Sequence, residues 1–177
     1  GKEWTTPFAQ IASALGHVRA RTAVFDGEIC YVDERGRTDF QSLQNALSSG
    51  DASRLVYYVF DLLFYDGVDL REQPLRARRD TLRTLLAGEG PPLRLSEHIV
   101  DSGPAFFAEA CKHGLEGIVA KRDDRPYRSG RSTAWVKVKC QHRQELVIVG
   151  FSAPRNARTG FGALLLGVHE GKTLRYV

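Results

Sequence analysis

The 177-residue chain contains no methionine, only three cysteines and no apolar run near the roughly 20 residues of a membrane-spanning helix. Without a methionine it is not expected to be a complete translated reading frame, and an internal piece of a larger protein is the natural expectation. The cysteines, at positions 30, 111 and 140, are odd in number and widely separated. That spacing fits neither a zinc site nor a disulfide framework, so three reduced thiols in a soluble intracellular protein are expected. No signal-peptide pattern opens the chain, and no internal repeat or low-complexity tract interrupts it. A large excess of charge of one sign is also lacking: the formal net charge is only +4, by itself a weak argument for a nucleic-acid partner. With 42% hydrophobic and 26% charged residues the composition is that of an ordinary globular domain. A chain of this size can bury about two-thirds of its unfolded surface.

Against this plain background, short alternating runs stand out. In Trp135-Val-Lys-Val-Lys139 a period of two sends Trp135, Lys137 and Lys139 to one face of a strand and the valines to the other, towards a core. Two ammonium groups on one face repel each other and favour an anion between them, with phosphate as the obvious candidate. A surface strand with solvated lysines is the competing reading. Glu116-Gly-Ile-Val-Ala-Lys121 lies shortly upstream and adds a carboxylate and a further lysine. In Val24-Phe-Asp-Gly-Glu-Ile-Cys-Tyr31, Asp26 and Glu28 share one face, and Phe25, Ile29 and Tyr31 share the other. Gly27 lies between, where a close approach of backbone or ligand is the usual reason for glycine in a strand. Leu55 to Tyr65 is apolar on both faces and reads as a central buried strand. Asp61 interrupts it and, once buried, needs a partner; a satisfied structural acid is the expectation.

Positive charge is concentrated locally. From Lys121 to Arg143 there are eight Lys or Arg residues against Asp123 and Asp124, a balance of +6 that exceeds the net charge of the chain. A solvated basic loop and a track for a phosphate backbone both fit. Helices are expected from Thr5 or Thr6 to Gly16, from Asp39 to Gly50, from Pro74 to Gly88 and over about 104–113. In the third, Leu75, Leu82, Leu85 and Leu86 are expected in the core, and the arginines at 76, 78, 79 and 83 mostly in solvent. After Gln144 the pattern changes to strands at 146–151, 163–168 and 174–177, which puts a boundary near Cys140 to Arg143.

Taken in order, these runs resemble the ATP-dependent DNA ligases of the covalent nucleotidyltransferase superfamily. Asp26-Gly27-Glu28 is similar to that family's third motif, Tyr58 to Leu62 to the aromatic motif that follows, Glu116 to Lys121 to the fourth and Trp135 to Lys139 to the fifth. Arg125-Pro-Tyr-Arg-Ser-Gly-Arg-Ser132 and Gly160 to Val168 most resemble the bacterial end-joining, ligase D branch. The resemblance implies an α+β fold: an incomplete ATP-grasp-like nucleotidyltransferase (adenylation) domain over 1–140, then the first strands of an OB-fold barrel over 141–177. It implies ATP, giving AMP, and Mg²⁺ or Mn²⁺ as cofactors, and nicked or broken double-stranded DNA as substrate. It also implies end-binding, polymerase or nuclease modules as partners, no membrane, and a bacterial cytoplasmic, nucleoid-associated location.

Residue by residue, the resemblance places Lys137 and Lys139 on the nucleotide phosphates. Glu28 and Glu116 become carboxylates for a divalent metal, with Glu28 also orienting the ribose. Phe60 becomes the ring that stacks on adenine, although a simple core phenylalanine is the plain alternative. Lys121 falls near the phosphates, and Arg128, Arg131 and Ser132 become candidates for DNA contact. The family's nucleophile is the lysine of a Lys-x-Asp-Gly motif upstream of the Asp-Gly-Glu strand, and no such motif occurs here. Lys2 resembles the stretch after the family's next motif, so a chain unable to self-adenylylate is expected. Two alternatives remain open at this point: an RNA-joining or RNA-capping nucleotidyltransferase, and a non-catalytic nucleic-acid-binding module.

Overall fold

The computed structural model describes residues 2–100, 102–130, 132–140, 146–154 and 159–177. The chain divides into two compact units, Gly1–Lys139 and Cys140–Val177.

The first unit is built on a four-stranded sheet. Strand β1 (Ala23–Tyr31) runs antiparallel to β2 (Leu55–Tyr65), which turns back into the short β3 (Val68–Asp69). That turn is a two-residue Asp66-Gly67 hairpin with both φ angles positive (44° and 93°), the geometry that matches strand twist. Strand β4 (Leu93–Leu95) adds to β2 in parallel, so β2 is the central strand that its apolar composition predicts. Its Leu55, Val59 and Leu62 join Ile11, Val18, Ala46, Leu70, Leu82, Leu86 and Leu93 in one core. Two bulges in the β1–β2 register, at Val24/Phe25 and Asp26/Gly27, break strict alternation, but Phe25, Ile29 and Tyr31 still pack on the core. The close approach inferred at Gly27 is real: a Cβ there would lie 2.5 Å from the Tyr57 ring and 2.6 Å from the Tyr58 carbonyl oxygen.

Among the described residues four helices accompany the sheet. In α2 (Phe40–Ser49) the Asp39 side chain accepts from the Ser42 N–H at 2.6 Å, and Gly50 closes the helix in the left-handed conformation at φ 75°. Helix α1 (Ala9–Leu15) starts later than expected, with Phe8 at its N-cap and no side-chain cap, so neither Thr5 nor Thr6 serves. Helix α3 (Leu75–Leu85) begins after Pro74 and buries Leu75 and Leu82, but it corrects the expectation for the arginines. Arg78 is fully buried and Arg79 is 7% exposed. Positions 75, 78, 79, 82 and 86 share one helical stripe, and both guanidinium groups lie on it. Asp61, itself fully buried, is the reason for Arg78: Nε and Nη2 donate to the two carboxylate oxygens at 2.7 Å each. The acid is satisfied and structural, as expected.

Helix α4 (Gly103–Lys112) leads into a two-stranded antiparallel ribbon, β5 (Gly117–Lys121) with β6 (Trp135–Lys139). Its apolar face is less buried than the sequence suggests, since Val136 remains 49% exposed. No core closes over Val136 among the described residues, which corrects the expectation that both valines of β6 pack inward.

The second unit is an antiparallel meander of β7 (Val147–Phe151), β8 (Leu164–Glu170) and β9 (Thr173–Tyr176), with Gly171 at φ 62° in the last turn. These strands lie within three residues of their expected limits. Cys30 is a free thiol, whereas Cys111 and Cys140 are not free, contrary to the expectation of three reduced thiols. Among the described residues no helix is long and apolar enough to cross a membrane.

Candidate active site

The β5–β6 register decides which side chains meet. Gly117 faces Lys139, Val119 faces Lys137 and Lys121 faces Trp135, so all three lysines and the tryptophan share one face of the ribbon. Glu116 enters just before β5. The Lys137 ammonium donates to Glu116 Oε1 at 2.9 Å, and the Lys139 ammonium lies 3.3 Å from the same oxygen. The two lysines hold the Glu116 carboxyl below its ordinary range, so it is ionised at neutral pH. The site is therefore two cations on one anion, with surplus positive charge directed at solvent.

Glycine is required at 117. Its φ is 154°, and a Cβ there would overlap the Val138 carbonyl oxygen and lie 2.8 Å from Lys139 Cα. The missing side chain is what lets the backbone carrying Glu116 close on the lysine strand.

Lys121, on the same face, packs its ammonium over aromatic rings instead of onto Glu116. Its ammonium lies 3.9 Å from the Phe60 ring centroid and 3.7 Å from that of Trp135. Burial is the main cause that pushes its pKa down to about 8. Phe60 and Trp135 themselves meet edge-on at 5.7 Å. Tyr127 completes the cluster: it contacts Trp135 at 5.9 Å and donates from its hydroxyl to Asp26 Oδ2 at 2.9 Å. A side-chain bridge thus joins the Asp-Gly-Glu strand to the lysine strand.

Glu28 lies on β1 opposite Tyr58, and its charge, after burial, helps raise the Cys30 thiol. The structure joins Glu116, Lys137 and Lys139 directly, and Phe60 with Lys121; among the described residues no direct bond links Glu28 to either group. Arg128 forks onto Glu72 at 2.6 and 2.9 Å, and Ser132 accepts from the Ala134 N–H at 3.3 Å. Arg131 lies outside the described residues. Sequence reasoning missed Tyr127, Arg78 and Arg79. The aromatic set within Arg125-Pro-Tyr-Arg128 was the available signal for Tyr127, and the helical stripe was the signal for the arginines.

Residues 1–139 match the family model described as the ATP dependent DNA ligase domain. The chain belongs to this family. It is 43% identical over 180 residues to the multifunctional non-homologous end joining protein LigD of Pseudomonas aeruginosa, covering 99% of this chain and 21% of that protein. The crystal structure of the ligase domain of Mycobacterium tuberculosis LigD superposes with a TM-score of 0.69 at 34% identity, over 99% of this chain and 56% of that one. A mycobacterial DNA ligase D complexed with ATP and MES gives a TM-score of 0.66 at 33% identity, over 97% and 53% of the two chains. The ligase-family chain thus spans about a fifth of the full-length relative and just over half of each solved ligase domain. Its fold is the nucleotidyltransferase fold of those LigD ligase domains, with the α+β make-up expected from sequence.

Proposed function

We propose that this domain works in ATP-dependent sealing of nicked or broken double-stranded DNA during bacterial end joining, with the Glu116–Lys137–Lys139 cluster as its phosphate-handling centre. The observation that carries the reading is two lysine ammonium groups converging on one carboxylate oxygen from a fixed antiparallel register. In sealing, a lysine attacks the α-phosphorus of ATP and expels pyrophosphate, the AMP passes from lysine to a DNA 5′-phosphate, and a 3′-hydroxyl attacks that 5′-phosphorus and expels AMP. Every one of these transfers gathers negative charge on phosphorus oxygens. Lys137 and Lys139 neutralise that charge by turning from Glu116 to the phosphate, and their β6 backbone keeps the reorganisation small.

Among the described residues no three His, Cys, Asp or Glu side chains form a metal cluster. A donor set of one or two carboxylates completed by substrate oxygens and water suits Mg²⁺ or Mn²⁺, and an ionised Glu116 fits that demand. Glu116 and Glu28 would hold the ion, which when bound supplies Lewis-acid stabilisation of the phosphate oxygens. Phe60 offers adenine the ring face not covered by Lys121, and Lys121 serves near the nucleotide phosphates from its place beside the aromatic cluster. Arg128, Arg131 and Ser132 take the DNA backbone. The residues beyond 140 begin an OB-fold domain, the protein works in the bacterial cytoplasm at the nucleoid, and end-binding, polymerase or nuclease modules are its partners.

Without a Lys-x-Asp-Gly motif in its 177 residues, this chain takes up no AMP covalently but acts on a DNA end that already carries it. The test uses α-labelled ATP with Mg²⁺ or Mn²⁺, and in parallel a nicked duplex with a pre-adenylated 5′ end. The expected result is no label on the protein and weak, metal-dependent sealing of the pre-adenylated nick. Labelled protein would assign the nucleophile to another lysine, and equal sealing of nicked RNA would overturn the DNA assignment.

A further inference from the structure

Arg79 is buried, yet among the described residues it forms no ion pair, since its neighbour Arg78 already takes both oxygens of Asp61. Its Nε is buried without a hydrogen-bond partner. A buried guanidinium with no acid beside it is costly, so neither solubility nor stability accounts for this residue. Its remaining donors go elsewhere. Nη2 donates to the Ser96 carbonyl at 2.8 Å and lies 3.0 Å from His98 Nδ1, and Nη1 donates to the Phe60 carbonyl at 3.4 Å.

Phe60 sits where the sheet holds β2 least. On one side β4 ends at Leu95, opposite Val59, and its ladder closes with the Ser96 N–H on the Val59 carbonyl at 2.8 Å. On the other side Gly27 faces Val59 and Asp26 faces Asp61, so Phe60 is the extra residue of the bulge and has no opposite residue on β1. A bulge re-aims the side chain it carries and disrupts the ladder around it. Here the re-aimed ring is the one that meets Lys121 and Trp135. The Arg79 fork spans this gap, joining the bulged residue to the chain that continues from β4.

We propose that Arg79 is a positioning residue for the adenine base, strapping the Phe60 backbone at its bulge to the Ser96–His98 segment, with neutral His98 as the latch of the strap. The inference deepens the ligase reading and rests on its assignment of Phe60 to adenine. A guanidinium only donates, so His98 Nδ1 accepts and the imidazole carries its proton on Nε2. A proton on Nδ1 replaces that bond by two donors of like charge. The charged groups facing the ring are Arg79, Arg83 and Asp80 of α3 and the adjoining Glu97. Burial first, then the two arginines, outweigh the two acids and keep the imidazole neutral to below its ordinary 6.5. The strap is therefore engaged at neutral pH and released in acid.

The test measures binding of adenosine 5′-(methyl phosphate) to the 177-residue chain between about pH 5 and about pH 7.5. The probe is a diester because phosphate monoesters titrate at about pH 6 and would add a pH dependence of their own. The wild type is expected to lose about tenfold in affinity towards acid, the order of one hydrogen bond to a charged group. His98→Asn, whose amide oxygen accepts from Arg79 without titrating, should change its own affinity by no more than about twofold over the same range. Arg79→Gln should bind about tenfold more weakly than wild type at neutral pH with no further loss in acid, and Arg79→Lys should recover part of the loss. His98 is exposed, and a flattened pH profile is not a result that misfolding produces. A His98→Asn profile as steep as that of the wild type, or a flat wild-type profile, would overturn the strap while leaving Phe60 on adenine. Phe60→Ala should bind more weakly at every pH. Wild-type affinity in that variant, or a wild type that binds no probe, would instead bring down the assignment of Phe60 to adenine, and the strap with it.

Discussion

The Lys121 ammonium lies 3.7 Å from the Trp135 ring centroid, held there because the two residues face each other across the β5–β6 ribbon. The same ammonium covers Phe60 at 3.9 Å. The contact ties the aromatic expected to stack on adenine to the strand that carries Lys137 and Lys139. Attraction to the rings opposes the desolvation cost without cancelling it, and burial still pushes the lysine down to about 8.

A pH dependence of stability follows. Between about pH 8 and the ordinary lysine value of 10.5, Lys121 is protonated in the unfolded chain and deprotonated in the folded one, so stability rises with pH in that window. Tyr57 acts in the opposite sense. Burial pushes its hydroxyl up to about 12 from 10.0, so above pH 10 the unfolded chain loses its proton first and stability falls. Urea midpoints are expected to climb from about pH 8 to about pH 10 and then decline. Lys121→Met should abolish the climb and keep the decline; a wild-type midpoint flat from about pH 8 to about pH 10 would refute the placement of Lys121.

The fully buried Asp61–Arg78 pair gives a second prediction. Asp61→Asn or Arg78→Met leaves the other charge, or part of its hydrogen bonding, without a partner in the core. Each single substitution should cost about 3–5 kcal/mol, whereas the D61N/R78M double variant should cost less than the sum. Chemical denaturation with a double-mutant cycle measures both. Additive losses would mean that the two side chains do not depend on each other.

Much of this was legible in the sequence because it rests on local rules. The central position of β2 followed from its two apolar faces, and the ends of α2 from Asp39 and Gly50. Lys137, Lys139 and Trp135 share a face because strands have a period of two. What escaped depends on the partner rather than on the residue. Arginine at a helix position reads as solvent-facing until a buried acid such as Asp61 claims it. That the Lys121 ammonium packs over the Trp135 ring depends on the register of β5 on β6, which the lysine's own position does not reveal. Val136 stays exposed because covering a strand face needs an element from elsewhere, and the strand's own alternation says nothing of that element.

Gly117 offers a test of backbone geometry. Alanine there must push against the Val138 carbonyl and Lys139 Cα and adopt a φ of 154°. The expected cost is about 1–3 kcal/mol from overpacking, with Glu116 moved away from the lysines. The cost is read from thermal unfolding, and the displacement from weakened ATP binding. Gly90→Ala, where an added Cβ meets nothing within 4 Å, serves as the near-silent control. Equal behaviour of the two variants would mean that close approach at Gly117 does not matter.

The cluster itself provides the most direct prediction. Lys137 and Lys139 share Glu116 Oε1 at 2.9 and 3.3 Å, so removing either partner changes both the charge and the orientation of what remains. Lys137→Ala leaves one cation to meet the transferring phosphate while Glu116 still competes for it. Glu116→Ala frees both lysines but removes the carboxylate that orients them and, in the proposed function, helps hold the metal. In a full-length LigD-type ligase carrying this domain, each substitution should lower nick sealing at least about a hundredfold, or about 2.7 kcal/mol of transition-state stabilisation. Lys137→Arg keeps the charge but exchanges a compact ammonium for a planar fork, so it should recover only part of the loss. Sealing within a few-fold of wild type for Lys137→Ala would move the phosphate site away from this ribbon, because Lys139, still held by Glu116, does not by itself supply the charge of two ammonium groups.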